Sequence, residues 1–352
     1  MARTRKSGSN RKCVLRAGLT MASVAVAAML LLGSCIGDKL EPCPPGATRV
    51  FFPYERALRI TSQADSIGVI RGIQPEDMNN LSQMDLYIFD AETDGYLGKY
   101  TDLSPGVGTT DRYSMTLVNL APGRYKFVAW GGLKRTDYAV APVTPVEQVS
   151  TFRDFSVNYM FTGDTVTADI DKLFYGVNDN VVIVGGDSVD VPLRQDTYTF
   201  NITLGGTAVT PDDQFRVAIT DNNNHYDFSN APITAPKYTY LSYFHPVVNY
   251  ADDETYEVTT TRRTLLVDRD REPIMRIYRN GETWRLRGYE EGINLVALVL
   301  NYEKRGIHID FSAMYEFDIR ITVDGNADDY TSMSVNVEIG DWKVTSNDTE
   351  LF

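Results

Sequence analysis

Tyr198-Thr199-Phe200-Asn201-Ile202-Thr203-Leu204 sets an apolar side chain at every second position and a polar one between. Successive strand residues point to opposite faces, so such a segment buries one face and wets the other. The same period recurs outward in both directions. Met84, Leu86 and Ile88 alternate with Asp85 and Tyr87; Tyr113, Met115 and Leu117 with Ser114 and Thr116; Tyr125, Phe127 and Ala129 with Lys126 and Val128. Phe215, Val217 and Ile219 repeat it, as do Phe317, Ile319, Ile321 and Val323. A last clear strand carries Met333, Val335, Val337 and Ile339 against Ser334, Asn336 and Glu338.

The turns agree. Asn280-Gly281, between Ile274–Tyr278 and Thr283–Leu286, is a strong signal for a two-residue hairpin. Asp94-Gly95, Asp324-Gly325 and the run Asp221 to Asn224 punctuate further strands. Many short strands with frequent turns predict an all-β chain of antiparallel sandwiches. Two segments have helical potential, Pro145 to Phe155 and Ile293 to Tyr302; the second, apolar throughout, equally suits a buried strand. Gly185-Gly186-Asp187-Ser188 ends one run of strands, which sets the expected domains at 48–187 and 188–344, followed by a polar tail, 345–352.

The N-terminus reads as a lipoprotein export signal. Arg3, Arg5, Lys6, Arg11, Lys12 and Arg16 precede an apolar stretch, Ala17 to Leu32, which closes in Leu32-Gly33-Ser34-Cys35. That stretch is short for a hydrocarbon core of roughly 30 Å, and it is followed by acidic Asp38 and Glu41 rather than basic residues. Residues 1–34 are therefore expected to be cleaved between Ser34 and Cys35, with lipid added to the Cys35 thiol. Residues 35–47 form a proline-rich linker, Glu41-Pro42-Cys43-Pro44-Pro45-Gly46, that spaces the first domain from the membrane.

Six positive charges leave with the leader, so the formal net charge of −13 becomes about −19. Such a chain is a poor nucleic-acid binder, because phosphate rewards Lys and Arg. It is also repelled by anionic headgroups, which leaves the lipid to hold it. The three cysteines are Cys13, Cys35 and Cys43; once the first is removed and the second acylated, no disulfide framework remains. His225, His245 and His308 are too scattered for a zinc site.

Candidate chemistry is sparse. Asp212-Asp213, Asp252-Asp253-Glu254 and Glu290-Glu291 are adjacent carboxylates, not a pair facing each other across a cleft. Asp324-Gly325-Asn326-Ala327-Asp328-Asp329 begins like a calcium loop but has Val335 where the bidentate Glu belongs, so a hairpin turn is the better reading. Trp130, Trp284 and Trp342 could stack sugars or pack at sheet margins. No nucleophile elbow, phosphate loop or metalloprotease motif is present, and neither catalysis nor a cofactor is expected.

Taken together, several segments resemble the FimB-type fimbrial anchor lipoproteins of Bacteroidales. They are Cys35 with Leu40 to Gly46, the first strand Val50-Phe51-Phe52-Pro53-Tyr54, and Asp85 to Asp90 with Gly95-Tyr96-Leu97. Leu120-Ala121-Pro122-Gly123-Arg124-Tyr125-Lys126-Phe127-Val128-Ala129-Trp130-Gly131 is the most specific. Asp171 to Gly176, Tyr315 to Ile319 and Ile339-Gly340-Asp341-Trp342-Lys343-Val344 follow in order. Phe311-Ser312-Ala313-Met314 departs from the family, which has a more charged approach to that tyrosine.

The resemblance implies two transthyretin-like sandwiches in a type V fimbria, whose subunits travel as lipoproteins and join by donating a strand to a neighbour's groove. Shaft subunits open that groove by losing their first strand to a protease. Here such a cut would also sever the lipid tether on Cys35, so an anchor must retain the strand. The expected partners are then the outer membrane, through the lipid, and a shaft subunit, through β-strand complementation at Met333, Val335, Val337, Ile339 and Trp342. The polar tail is short for a donor arm, so the final strand itself would have to detach. The expected place is the cell surface, at the fimbrium base. Two other readings stand beside it: a glycan-binding surface lipoprotein, and an adhesive tip subunit matured by cleavage at Arg49, ahead of the first strand.

Overall fold

A computed structural model describes residues 46–53, 56–60, 67–72, 81–106, 113–134, 136–233, 235–246, 256–301, 303–305, 309–312, 314–339 and 342–345. The first half contains β1 (Thr48–Phe51), β2 (Arg56–Ile60), β3 (Ile67–Gly72), β4 (Met84–Asp90), β5 (Tyr96–Asp102), β6 (Ser114–Leu117) and β7 (Gly123–Gly131). It continues with β8 (Tyr138–Ala141), β9 (Ser156–Tyr159), β10 (Thr165–Val166), β11 (Phe174–Ile183), β12 (Ser188–Asp190) and β13 (Leu193–Gln195). The second half begins with β14 (Thr197–Gly205), β15 (Phe215–Asp221), β16 (His225–Asp227), β17 (Tyr238–Tyr243), β18 (His245–Pro246) and β19 (Val258–Leu265). After β20 (Ile274–Arg279), β21 (Glu282–Thr283) and β22 (Ile293–Asn294) comes the helix α1 (Leu295–Leu300). The chain closes with β23 (Glu316–Asp324), β24 (Ser334–Ile339) and β25 (Trp342–Thr345).

In the first half a three-stranded sheet, β12-β1-β6, lies over a five-stranded one, β13-β11-β7-β4-β5. Val50, Phe52, Met115 and Leu117 meet Leu86, Ile88, Phe127, Phe174 and Ile183 in one buried cluster. In the second half, β18-β19-β14-β23-β24-β25 and β10-β17-β15-β20-β21 enclose a core of Phe200, Ile202, Val217, Ile219, Ile319, Val337 and others.

The alternation in β4 and β7 does not separate core from water. Met84, Leu86 and Ile88 join the first-half cluster, while Tyr87 and Phe89 join the core that runs into the second half. Val128 and Trp130 of β7 do the same opposite Phe127 and Ala129. The central strands β4 and β7 are thus buried on both faces along much of their length, and Tyr87 and Val128, which read as the wetted side, belong to a second core face. Asp85 is the polar exception within β4; it accepts from Gln83 Nε2 at 2.6 Å and Thr101 Oγ1 at 2.7 Å, with Lys99 Nζ at 3.0 Å. Those partners are what a buried carboxylate requires.

The halves are woven together and lie within one compact unit, residues 45–352. β10 of the first half pairs in parallel with β17, and β16 of the second half pairs with β9. The segment beyond Ser188 still belongs to first-half sheets: β12 pairs with β1 and β13 with β11. The crossing between halves therefore falls at Asp196, later than the Gly185-Gly186 turn.

Local chemistry explains the remaining elements. Asn280 and Gly281 both adopt positive φ, 52° and 91°, as a type I′ hairpin turn demands. Gly132 turns at φ 89°, where a Cβ would stand 2.3 Å from the Lys172 carbonyl oxygen, so only glycine fits after Trp130-Gly131. Pro145 to Phe155 holds a single 3-10 turn, Phe152–Asp154, rather than a helix. Ile293 to Leu300 combines both expectations: two strand residues, then α1, capped by the Asn294 side chain accepting from Ala297 N at 2.9 Å. Phe311, in the stretch that departs from the fimbrial pattern, is buried, and its carbonyl accepts from the Tyr198 hydroxyl.

Candidate functional site: the two terminal strands and the seam between the halves

β1 is an inner strand. It runs parallel to β12, with Arg49 opposite Ser188 and Phe51 opposite Asp190, and antiparallel to β6, with Thr48 opposite Leu117 and Phe51 opposite Ser114. Arg49 N donates to Asp187 O at 2.9 Å, Val191 N to Phe51 O at 2.8 Å and Leu193 N to Pro53 O at 2.7 Å. Thr48, Val50 and Phe52 point inward and are buried, and Phe52 stacks on Tyr113 with ring centroids 5.4 Å apart. Burying Val50 and Phe52 is worth about 1.5–3 kcal/mol each.

One expectation changes here. Arg49 does not precede the first strand; it is the second residue of β1, paired on both sides. A protease needs an extended, unpaired segment, so this bond is shielded while β1 is in place.

β25 stands at the opposite extreme. It pairs with β24 through Asn336 opposite Thr345 and Ile339 opposite Trp342, and among the described residues it forms the margin of its sheet. β24 is its inner neighbour, held by β23 on the other side. Met333, Val335, Val337 and Ile339 are buried in the sandwich, so their side chains are core and offer no outward surface. What the C-terminal region can offer a partner is backbone: the β24 edge if β25 leaves, or the β25 edge if it stays. Trp342 opens β25. Ser34, Cys35 and Cys43 lie outside the described residues, as does the polar tail from Ser346.

Between these ends runs an aromatic seam that periodicity did not reveal. Phe228, from the loop after β16, is fully buried among first-half rings, with centroids 4.9 Å from Tyr87, 4.8 Å from Phe155 and 6.2 Å from Trp130. The Tyr175 hydroxyl donates to the Phe228 carbonyl at 3.0 Å. At the crossing itself Asp196 is buried; it accepts from Asn230 Nδ2 at 2.7 Å, and burial pushes its carboxyl up to about 6 against that hydrogen bond and Arg194. Arg262 of β19 is 1 % exposed, and its guanidinium donates to the carbonyls of Val166, Thr167 and Ala168, tying the β10 segment to the second half. It carries no separate signal in the sequence, because Arg263 stands beside it and only the alternation from Val258 puts Arg262 on the inward face.

The aromatic candidates for sugar stacking divide accordingly. Trp130 is buried in the seam and Trp284 packs on Phe215 inside the second half, so neither presents a face to solvent. Among the described residues no helix is long and apolar enough to cross a membrane.

The chain is all-β, built of interlocked, largely antiparallel sheets. The fold is similar to that of a candidate adhesin of Bacteroides thetaiotaomicron, with 19% identity, 88% of this chain and 100% of that chain covered, and a TM-score of 0.65. It is also similar to the fimbrial anchor protein Mfa2 from Porphyromonas gingivalis, with 15% identity, 86% and 99% covered, and a TM-score of 0.57. A candidate polysaccharide-binding protein of Bacteroides thetaiotaomicron aligns at 18% identity over 85% of this chain and 97% of its own, with a TM-score of 0.61. The sequence matches the family of fimbrillin-A associated anchor proteins Mfa1 and Mfa2 over residues 70–348, and the chain belongs to that family. A search of curated proteins gives no match. The fimbrial-anchor resemblance carried by Leu120–Gly131 and its companion segments is thereby borne out.

Proposed function

We propose that this chain is a lipoprotein of the outer membrane, acylated on Cys35, that anchors a fimbrium at its base and limits or nucleates its growth. The observation that carries this reading is the inner position of β1. A subunit open to N-terminal strand exchange must vacate that slot. Here the strand filling it follows the expected lipid site in sequence, so vacating the slot by proteolysis would release the protein from the membrane. Growth is then directed to the other end, where β25 lies at a sheet margin and a shaft subunit adds by strand complementation. The lipid resists extraction by about 0.8 kcal/mol for each buried methylene. The seam transmits the load from one half to the other.

The test is a Cys35→Ala chain in the native host, with fimbrial shaft protein measured in the cell-bound fraction and in the medium. Intact fimbriae should move to the medium. Fimbriae that stay on the cell would overturn the anchoring role, and a shaft subunit bound through the first half alone would overturn the C-terminal contact.

A further inference from the structure

Where the two sheets of the second half splay apart, between the end of β17 and the start of β19, the surface opens into a cleft of about 510 Å³. That volume lies in the range of about 300–1,000 Å³ usual for small-molecule sites. One side carries Tyr243, 58% exposed, and the other the hydroxyls of Thr259, Thr260 and Thr261; His245, opposite Thr259 in the β18–β19 ladder, lies where the two sides meet, and Asp169 stands at the rim. None of these residues belongs to the terminal strands or to the seam of rings.

The hydrogen bonds already made decide what the walls have left to give. The Thr259 hydroxyl donates to Ile202 O at 3.2 Å and the Thr261 hydroxyl to Asn201 Oδ1 at 2.9 Å, so each turns only acceptor lone pairs outward. Ser242 and Thr260 share one hydrogen bond of 2.7 Å at the base. Asp169, 85% exposed at its side chain, adds acceptors, and the Arg262 guanidinium 3.7 Å away offsets its charge. That guanidinium is committed to three carbonyls and is not free to hold an anion. The cleft therefore suits an uncharged ligand rich in O–H donors, with one flat apolar face to set against the exposed tyrosine ring. Those are the properties of a neutral pyranose.

We propose that the Tyr243–Thr261 cleft is a binding site for neutral saccharides, distinct from the strand edges that join subunits. Tyr243 supplies the stacking face, the Thr259 and Thr261 hydroxyls accept from ring hydroxyls, and Asp169 accepts at the open end.

The test is saturation-transfer NMR on the full chain with maltose, cellobiose, lactose and mannobiose at millimolar concentration. Transfer to the ring protons of at least one disaccharide is expected. It should fall at least tenfold in Tyr243→Ala and several-fold in Thr261→Val, and persist in Tyr330→Ala, which removes an exposed tyrosine elsewhere. Thermal melts of the three variants confirm that each is folded; both cleft residues are exposed, so the fold does not depend on them. No transfer from any of the four sugars overturns the proposal, as does transfer undiminished in Tyr243→Ala. Displacement of the sugar by equimolar spermidine would mark a cation site and overturn it equally.

Discussion

The two ends of the described chain are strands of similar length held in opposite ways. β1 sits between β12 and β6 and sends Val50 and Phe52 into a core; β25 lies at the margin of a six-stranded sheet with β24 as its neighbour. Removing β1 would strip two ladders and open an apolar groove, whereas among the described residues removing β25 costs one ladder. The difference teaches that position within a sheet can by itself make one terminal strand hard to remove and another easy. What changes is where each terminal strand lies in its sheet.

The comparison breaks most sharply under matched proline substitutions. Val50→Pro removes an inner-strand N–H and a buried side chain together, and at about 4 kcal/mol or more it should leave no cooperative thermal transition by circular dichroism. A folded Val50→Pro protein would mean that β1 is dispensable. Next in size is Phe228→Ala, which empties the centre of the seam at a cost of about 3–5 kcal/mol. Calorimetry should show one transition at a lower midpoint, because both ends rest on one cooperative body. Two separated transitions would instead assign the ends to independent bodies.

Asp196→Asn sharpens the comparison in the opposite direction. The carboxyl is raised by burial from its ordinary 3.8 to about 6, so between those values the native state holds a proton that the unfolded chain releases. Its contribution is therefore full below about 3.8 and is lost as pH rises through about 6. At pH 7 the asparagine variant should be more stable, by on the order of 2–3 kcal/mol at most. That gap should close on acidification, as read from denaturant midpoints at pH 7 and pH 4. The smallest effect belongs to Lys343→Pro in β25. An edge strand tolerates proline, and a loss of about 1 kcal/mol with an unchanged denaturant slope is expected.

Much of this architecture is legible in the residues, for a physical reason. Period-two alternation and the Asn280-Gly281 turn are local and report strand and hairpin directly. The alternation in β4 and β7 misled at Tyr87 and Val128, because a ring with a hydroxyl or a single valine suits either a wet face or a second core. Only the arrival of Phe228 from the other half decides between them. Arg49 illustrates the same limit, since a basic residue ahead of an apolar run looks like a loop until β12 returns from far along the chain to pair with it. The strands that weave the halves together, β10 and β16, are two and three residues long and carry no periodic signal at all. The candidate contact, Met333 to Trp342, falls on β24 with the residue before it and on the start of β25, and the side chains of Met333, Val335, Val337 and Ile339 are core, which the alternation alone leaves open.

The most direct test of the asymmetry between the ends is native-state hydrogen exchange on the full chain. The account predicts that the amides of Arg49 to Phe51 exchange only through global unfolding. The amides of β25 that bond to β24 should exchange through local opening, at least a hundredfold faster and insensitive to low denaturant. Equal protection at the two ends, or faster exchange in β1, would contradict it.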